Sequence, residues 1–103
     1  MNFLTNLDGL TKIESVSNDR NACHAVLSFA KAFINDHSYD QKLGVLLWGH
    51  QDLSTSKWLI NTHIDVVPGN PDQFELRLIR DRAWGRGVVD AKGCAAILIE
   101  NAN

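Results

Sequence analysis

The sequence lacks long hydrophobic runs and clusters of basic residues, and each absence excludes a class of protein. No stretch is long and apolar enough to span a bilayer. Residues 1–17 have neither the basic start nor the continuous apolar segment of a signal peptide, so we expect a cytoplasmic location. The net charge of −2, without a run of Lys or Arg, argues against nucleic acid or an anionic membrane as partner.

Cysteine is also scarce, since the chain has only Cys23 and Cys94, far apart in the sequence. Both lie in apolar, helix-like patterns, so we expect two buried, reduced thiols. Hydrophobic residues make up 45% of the 103 residues, which is enough for the packed core of one domain.

Apolar spacing predicts three helices. Residues 2–13 and 19–37 each place their apolar side chains on one helical face, and a loop at residues 15–18 ends in an N-cap between them. A third helix is predicted from just after Asp90 to residue 101.

Short apolar or alternating segments predict the strands. Residues 42–48 and 57–62 read as two strands that could form a hairpin. Residues 75–80 alternate like a half-exposed strand, and residues 82–89 favour a further extended piece. The predicted fold class is therefore α/β.

The pattern His-x-Asp occurs twice, and a histidine and an aspartate two residues apart can build a metal site. The first pair, His50 and Asp52, precedes a polar turn in the connection between two predicted strands. There, Asp52 is expected to accept hydrogen bonds from nearby backbone amides, and His50 is expected to be solvated.

The second pair, His63 and Asp65, follows an apolar predicted strand, at the end where open α/β sheets place their ligands. Alternation places both side chains on one face of the chain. Asp65 could then accept from one imidazole nitrogen of His63 and leave the other for a metal. A purely structural hydrogen bond between the two residues remains an alternative.

A glycine-rich segment, GRGVVDAKG at residues 85–93, favours the metal interpretation. Gly85 and Gly87 permit backbone geometry or a close approach that a side chain would block. Asp90 lies at the start of the last predicted helix, where its ionised form is favoured. The segment opens like a dinucleotide fingerprint, but Asp90 replaces the third glycine, and a carboxylate there would repel a pyrophosphate.

Residues 62–68, THIDVVP, and residues 85–93 together resemble the M20 family of metallopeptidases and deacylases. Its members include aminoacylases, acetylornithine deacetylase, succinyl-diaminopimelate desuccinylase and dipeptidases. The family pattern is roughly G-H-x-D-V-V-P, followed by G-R-G-x-x-D-x-K-G. The opening helix and residues 13–17, IESVS, extend the resemblance over most of the chain. Thr62 departs from it, because the family commonly has glycine there.

The resemblance implies roles for particular residues. His63 would ligate one zinc ion, and Asp90 would bridge two zinc ions. Asp65, counted with the catalytic residues, would orient His63. The peptide bond between Asp90 and Ala91 would be cis, and Lys92 would shape the helix entry without a direct role in chemistry. The pair His50 and Asp52 would have no such role, because it lacks the Val-Val-Pro tail.

The resemblance also implies a fold and a reaction. The fold would be a zinc-hydrolase, phosphorylase/hydrolase-like three-layer α/β/α domain, and residues 1–103 would be the incomplete N-terminal part of it, with no second domain. The substrate would be a peptide or an N-acyl amino acid. A water shared by two zinc ions would attack the amide carbonyl after a glutamate takes its proton.

That glutamate and the remaining zinc ligands have no counterpart among residues 1–103, so we expect this chain to be inactive by itself. One hypothesis is that it is the N-terminal fragment of a zinc hydrolase. The alternative is a complete short remnant that acts as an interaction or oligomerisation module. A front half would leave apolar sheet edges or faces open, so self-association is expected.

Overall fold

The computed structural model describes residues 2–49 and 52–103. Three helices and four strands follow one another in the order α1 (Phe3–Lys12), α2 (Arg20–Lys31), β1 (His37–Asp40), β2 (Val45–Trp48), β3 (Arg77–Ile79), β4 (Arg82–Trp84) and α3 (Gly93–Glu100). The protein is therefore of the mixed α/β type that the sequence predicts. In the part of the chain that is described, no helix is long and apolar enough to cross a membrane.

The first two helices begin at side-chain caps. The Asn2 side chain accepts a hydrogen bond from the Thr5 amide at 2.9 Å, and the Asp19 side chain accepts one from the Ala22 amide at 3.0 Å. Each cap satisfies an amide that has no partner within the helix. The prediction of α1 is confirmed, and the N-cap of α2 lies one residue beyond the predicted loop.

The predicted helix over residues 19–37 is too long. It ends at Lys31, where the chain closes with tighter turns in which the Phe33 amide donates to the Ala30 carbonyl. Asp36 then takes a positive φ of 37°, a conformation that aspartate tolerates better than most residues, and His37 enters β1. Apolar spacing did not reveal this stop, because Phe33 and Ile34 continue the helical pattern.

The predicted hairpin between residues 42–48 and 57–62 is wrong. β2 pairs antiparallel with β1, with Ser38 opposite Leu47 and Tyr39 opposite Leu46. Residues 57–62 form no strand, and none of the described backbone hydrogen bonds involves them. A strand needs a partner as well as a suitable sequence, and the partner of β2 is β1, which begins at the last residue of the predicted helix and continues into residues for which no strand was predicted.

The strand predicted over residues 75–80 and the extended piece after it form a shorter hairpin. β3 and β4 pair antiparallel across a tight turn in which Arg80 has a φ of 58°. Both faces of β3 are exposed to solvent, since the consecutive residues Leu78 and Ile79 are both exposed.

The core lies where the three helices meet. α1 packs on α3, and α2 covers the same centre from the side. The buried apolar side chains of this core are Leu7, Leu10, Val26, Ala30, Ile34, Ala95, Ala96 and Ile99. Of the two thiols, both are free, but Cys94 is exposed and Cys23 only half-buried. The expectation of two buried thiols is therefore wrong for Cys94.

Candidate metal site

Three predicted site residues meet in space. The Nδ1 atom of His63 lies 3.1 Å from Oδ1 of Asp65, and its Nε2 atom lies 2.8 Å from Oδ1 of Asp90. The imidazole therefore stands between two carboxylates, one two residues away in the sequence and one 27 residues away, within the Gly-rich segment. His63 and Asp90 are accessible, with 51% and 85% of their side-chain surfaces exposed.

The two carboxylates act on the ionisation of His63. A carboxylate only accepts hydrogen bonds, so both contacts are satisfied together only when both ring nitrogens carry a proton. The hydrogen bond to Asp90 accordingly raises the pKa of His63 above its ordinary value, and partial burial opposes this rise. The backbone carbonyl and the charge of Asp65 add to it.

A short parallel bridge, instead of the predicted strand over residues 57–62, holds the His63-x-Asp65 segment. Val16 pairs with Val66: the Val66 amide donates to the Ser15 carbonyl at 2.9 Å, and the Ser17 amide donates to the Val66 carbonyl at 3.0 Å. The buried Ser15 hydroxyl also donates to the Ile64 carbonyl at 2.7 Å. Residues 15–17 thus fix the backbone on which His63 and Asp65 stand.

Ser17 also contacts the site directly, which the sequence interpretation missed. Its hydroxyl donates to Oδ2 of Asp65 at 2.5 Å, and this bond lowers the pKa of Asp65 below its ordinary value, with His63 contributing further. The IESVS segment belonged to the resemblance, but nothing in it indicated which side chain reaches Asp65 from 48 residues away.

Asp90 lies in a turn that precedes α3. The residues Val88–Lys92 form a wide, π-type turn, in which Asp90 and Ala91 have non-helical dihedral angles. Gly87 begins this turn with a φ of 81°, and a Cβ there would collide with the Val66 side chain. The peptide bond between Asp90 and Ala91 is cis, as the resemblance implied.

Comparison with known proteins finds one family model that matches both this turn and the His63-x-Asp65 segment. Residues 59–103 match the domain described as "Peptidase family M20/M25/M40". Over these residues, called the M20 segment below, the chain is similar to that family. The resemblance drawn from the two motifs is thereby confirmed for the part of the chain that contains them both.

One curated relative is similar to this M20 segment. It is the N-acetyl-L-citrulline deacetylase of Xanthomonas campestris pv. campestris, 45% identical over 53 residues. The match covers 48% of this chain and 14% of the relative, so the chain spans only a small part of that protein's length. No solved structure matches the chain.

Lys92, in the last motif of the M20 segment, is fully buried, an unusual position for a lysine. Its ammonium group donates to the carbonyl oxygens of Leu10 at 2.7 Å and of Ile13 at 2.8 Å. Burial lowers its pKa to about 8. The sequence predicted that Lys92 shapes the entry to α3; its bonds to the end of α1 were not predicted, because no local pattern reports them.

In the other His-x-Asp pair, His50 and Asp52, the aspartate lies in a different environment from Asp65. Asp52 accepts a hydrogen bond from the Ser54 amide at 2.9 Å, and this bond lowers its pKa. The expectation that Asp52 binds nearby backbone amides is confirmed. His50 lies outside the described residues.

The donor set at the M20 site is small. Across residues 2–49 and 52–103, no group of three or more His, Cys, Asp or Glu side chains could hold a metal ion together. His63 and Asp90 are the pair whose donor atoms converge from distant parts of the sequence.

A largely apolar cleft opens beside this pair. Its volume is about 550 Å³, and it runs between α2, β2 and residues 59–65, with His63 and Asp65 at its edge. Asp90 does not line it.

Proposed function

We propose that this chain is the N-terminal part of a zinc-dependent hydrolase that cleaves amide bonds of peptides or N-acyl amino acids by a metal-activated water. The observation that carries the proposal is the convergence of His63 and Asp90, 27 residues apart, within the segment that matches the M20 family. The printed activity of the similar relative, a deacetylase, supports an amide bond as the target.

We propose that residues 1–103 contribute the first part of a three-layer α/β/α catalytic domain. The mixed α/β composition is compatible with this fold, and so is the small share of the relative's length that the chain covers. Further strands of such a domain would supply partners for residues 57–62, whose sequence suits a strand.

The chemistry of the donor pair fits zinc. An imidazole nitrogen and a carboxylate oxygen are both common zinc ligands, and both are accessible here. His63 and Asp90 would hold the metal, and Asp65 would orient His63 from the other side of the ring. Bound zinc would lower the pKa of a water molecule and polarise the amide carbonyl.

Two donors are fewer than the three protein ligands that catalytic zinc usually has. We therefore propose that a second zinc ion and the remaining ligands, together with the general base, depend on residues outside this chain. The 103-residue chain should bind zinc weakly and leave amide substrates intact.

The mass of the endogenous protein tests this proposal. An antibody against residues 19–37 would isolate the endogenous protein for measurement of its intact mass. A product several times heavier than 11.5 kDa, active with zinc on a panel of N-acyl amino acids and dipeptides, is the expected result. An endogenous protein of 11.5 kDa would contradict the hydrolase proposal for this polypeptide.

One observation favours the alternative, a non-catalytic interaction or oligomerisation module. Trp58, Leu59 and Ile60 are consecutive and strongly exposed, and such a run of large apolar side chains is typical of a surface that another chain covers. An endogenous product of 11.5 kDa that self-associates would support this alternative.

A further inference from the structure

The two oxygens of the Asp65 carboxylate have different partners. Oδ2 accepts the hydroxyl of Ser17 at 2.5 Å, while Oδ1 lies 3.1 Å from Nδ1 of His63. A carboxylate can rotate about its last bond, and a partner on one oxygen restricts where the other points. The bond from Ser17 therefore bears on the direction in which Asp65 presents Oδ1.

Ser17 is itself held in place by the backbone. Its amide donates to the carbonyl of Val66, the residue next to Asp65, at 3.0 Å. The hydroxyl and the amide of one serine thus bind adjacent points on the segment that carries the site. Since Asp65 and His63 are each about half exposed, little else packs against the carboxylate to restrict its rotation.

His63 requires such a restriction because its neutral ring has one proton, while acceptors face both of its nitrogens. At Nδ1 these are the backbone carbonyl and the carboxylate Oδ1 of Asp65, both at 3.1 Å. At Nε2, Asp90 accepts over the shorter distance of 2.8 Å, so the carboxylate of Asp65 is needed beside the backbone carbonyl to hold the proton on Nδ1. Binding of a metal at Nε2 requires the proton on Nδ1, because a protonated nitrogen has no free lone pair.

We infer that Ser17 is the positioning residue of this site: its hydroxyl fixes the Asp65 carboxylate so that His63 keeps its proton on Nδ1 and leaves Nε2 for a metal. The meaning of this role for catalysis rests on the proposed function, but the tautomer can be measured without any metal.

Ser15 provides a matched control. Its hydroxyl also donates across the same bridge, but to the backbone carbonyl of Ile64 and not to Asp65. Ser15→Ala and Ser17→Ala therefore remove the same chemical group from neighbouring positions, and only the second removes a partner of the carboxylate. Ser17→Thr keeps the hydroxyl and should restore the wild-type behaviour.

The experiment is ¹⁵N NMR of the histidine rings in the 103-residue chain with a chelator present, at a pH where His63 is neutral, with His63→Gln used to assign the signals. Wild type, Ser15→Ala and Ser17→Thr should show mainly the Nδ1–H form, and Ser17→Ala should shift the population towards Nε2–H.

A separate zinc titration of the same proteins keeps this inference distinct from the proposed function. Failure of the wild-type chain to bind zinc would contradict the weak binding expected of His63 and Asp90, while the tautomer would still decide the role of Ser17. An unchanged tautomer in Ser17→Ala, or an equal shift in Ser15→Ala, would overturn the inference.

Discussion

The buried ammonium group of Lys92 lies 2.7 Å from the carbonyl oxygen of Leu10, and this bond links the turn that carries Asp90 to the last turn of α1. Cations are favoured near helix C-termini, where carbonyl groups lack partners within the helix. The same lysine also bonds to Ile13 at 2.8 Å, just beyond the helix. A helix far from the metal-site residues in sequence thereby supports their position.

Replacing Lys92 with Met should lower the free energy of unfolding by about 1–3 kcal/mol, because buried carbonyl groups lose their donor. Removal of the buried charge offsets part of this loss. The loss of unfolding free energy should therefore be smaller than the loss expected from removing two hydrogen bonds alone. Urea denaturation measures it. Lys12→Met is the control, because Lys12 is exposed at the end of α1 and forms only a surface ion pair with Asp8.

The pKa of Lys92 predicts a pH dependence of stability. Its pKa in the folded chain is about 8, below the 10.5 that is usual for lysine, so between these values the unfolded chain binds more protons than the folded chain. Stability contributed by Lys92 should therefore be constant below pH 8 and rise from about pH 8 to 10.5.

This rise is measured as the difference in the free energy of unfolding between wild type and Lys92→Met, followed from about pH 8 to 10.5. Burial raises the pKa of Cys23, which acts in the opposite direction, so both proteins should carry Cys23→Ser. A difference that stays flat with pH would contradict the lowered pKa of Lys92.

The proposed metal ligands can be tested on this chain. His63→Ala and Asp90→Ala should each weaken zinc binding by more than the roughly 10–100-fold that is typical for loss of an outer partner of a ligand. Competition with a zinc-sensitive dye measures the affinity. His37→Ala is the control, since the His37 ring contacts the Ile34 carbonyl in a turn away from the site. Equal losses in all three variants would point to nonspecific binding.

Zinc binding should also depend on pH through His63. Zinc requires the neutral ring, and Asp90 raises the pKa of that ring, so protons compete with the metal at a higher pH than for an ordinary histidine. The affinity should fall as the pH decreases through this raised pKa. An affinity that does not change between neutral and mildly acidic pH would argue against His63 as a ligand.

Gly87→Ala should destabilise the protein and move Asp90. The positive φ at Gly87 costs a side-chain-bearing residue about 1–2 kcal/mol, and the new methyl group would also collide with Val66. Thermal unfolding gives the loss of stability. Gly49→Ala is the matched control, because a Cβ there has no described neighbour within 4 Å.

The exposed segment at residues 58–60 predicts self-association of the isolated chain. Trp58 is 86% exposed, so Trp58→Ser should reduce association while leaving the helical core unchanged. Sedimentation velocity at several concentrations measures the change. Trp84→Ser removes a second, less exposed tryptophan from β4 and should have a smaller effect. A wild-type chain that remains monomeric at high concentration would refute this prediction.

Local patterns account for the features that were predicted correctly. The helical spacing of α1 and the turn chemistry at Asp52 both depend on neighbours in the sequence. The errors lie where local preference is ambiguous. Phe33 and Ile34 continue an apolar pattern past the end of α2, and residues 57–62 have strand preference but no partner within the described chain.

The sequence by itself therefore indicated three helices, the resemblance of residues 59–103 to the M20 family and the candidate residues His63, Asp65 and Asp90. Only the tertiary structure decided that β2 pairs with β1, that Ser17 reaches Asp65, and that Lys92 bonds to the end of α1. The physical reason is the range of the interactions. Helical periodicity and motif spacing act over a few residues, whereas these pairings depend on how distant segments pack.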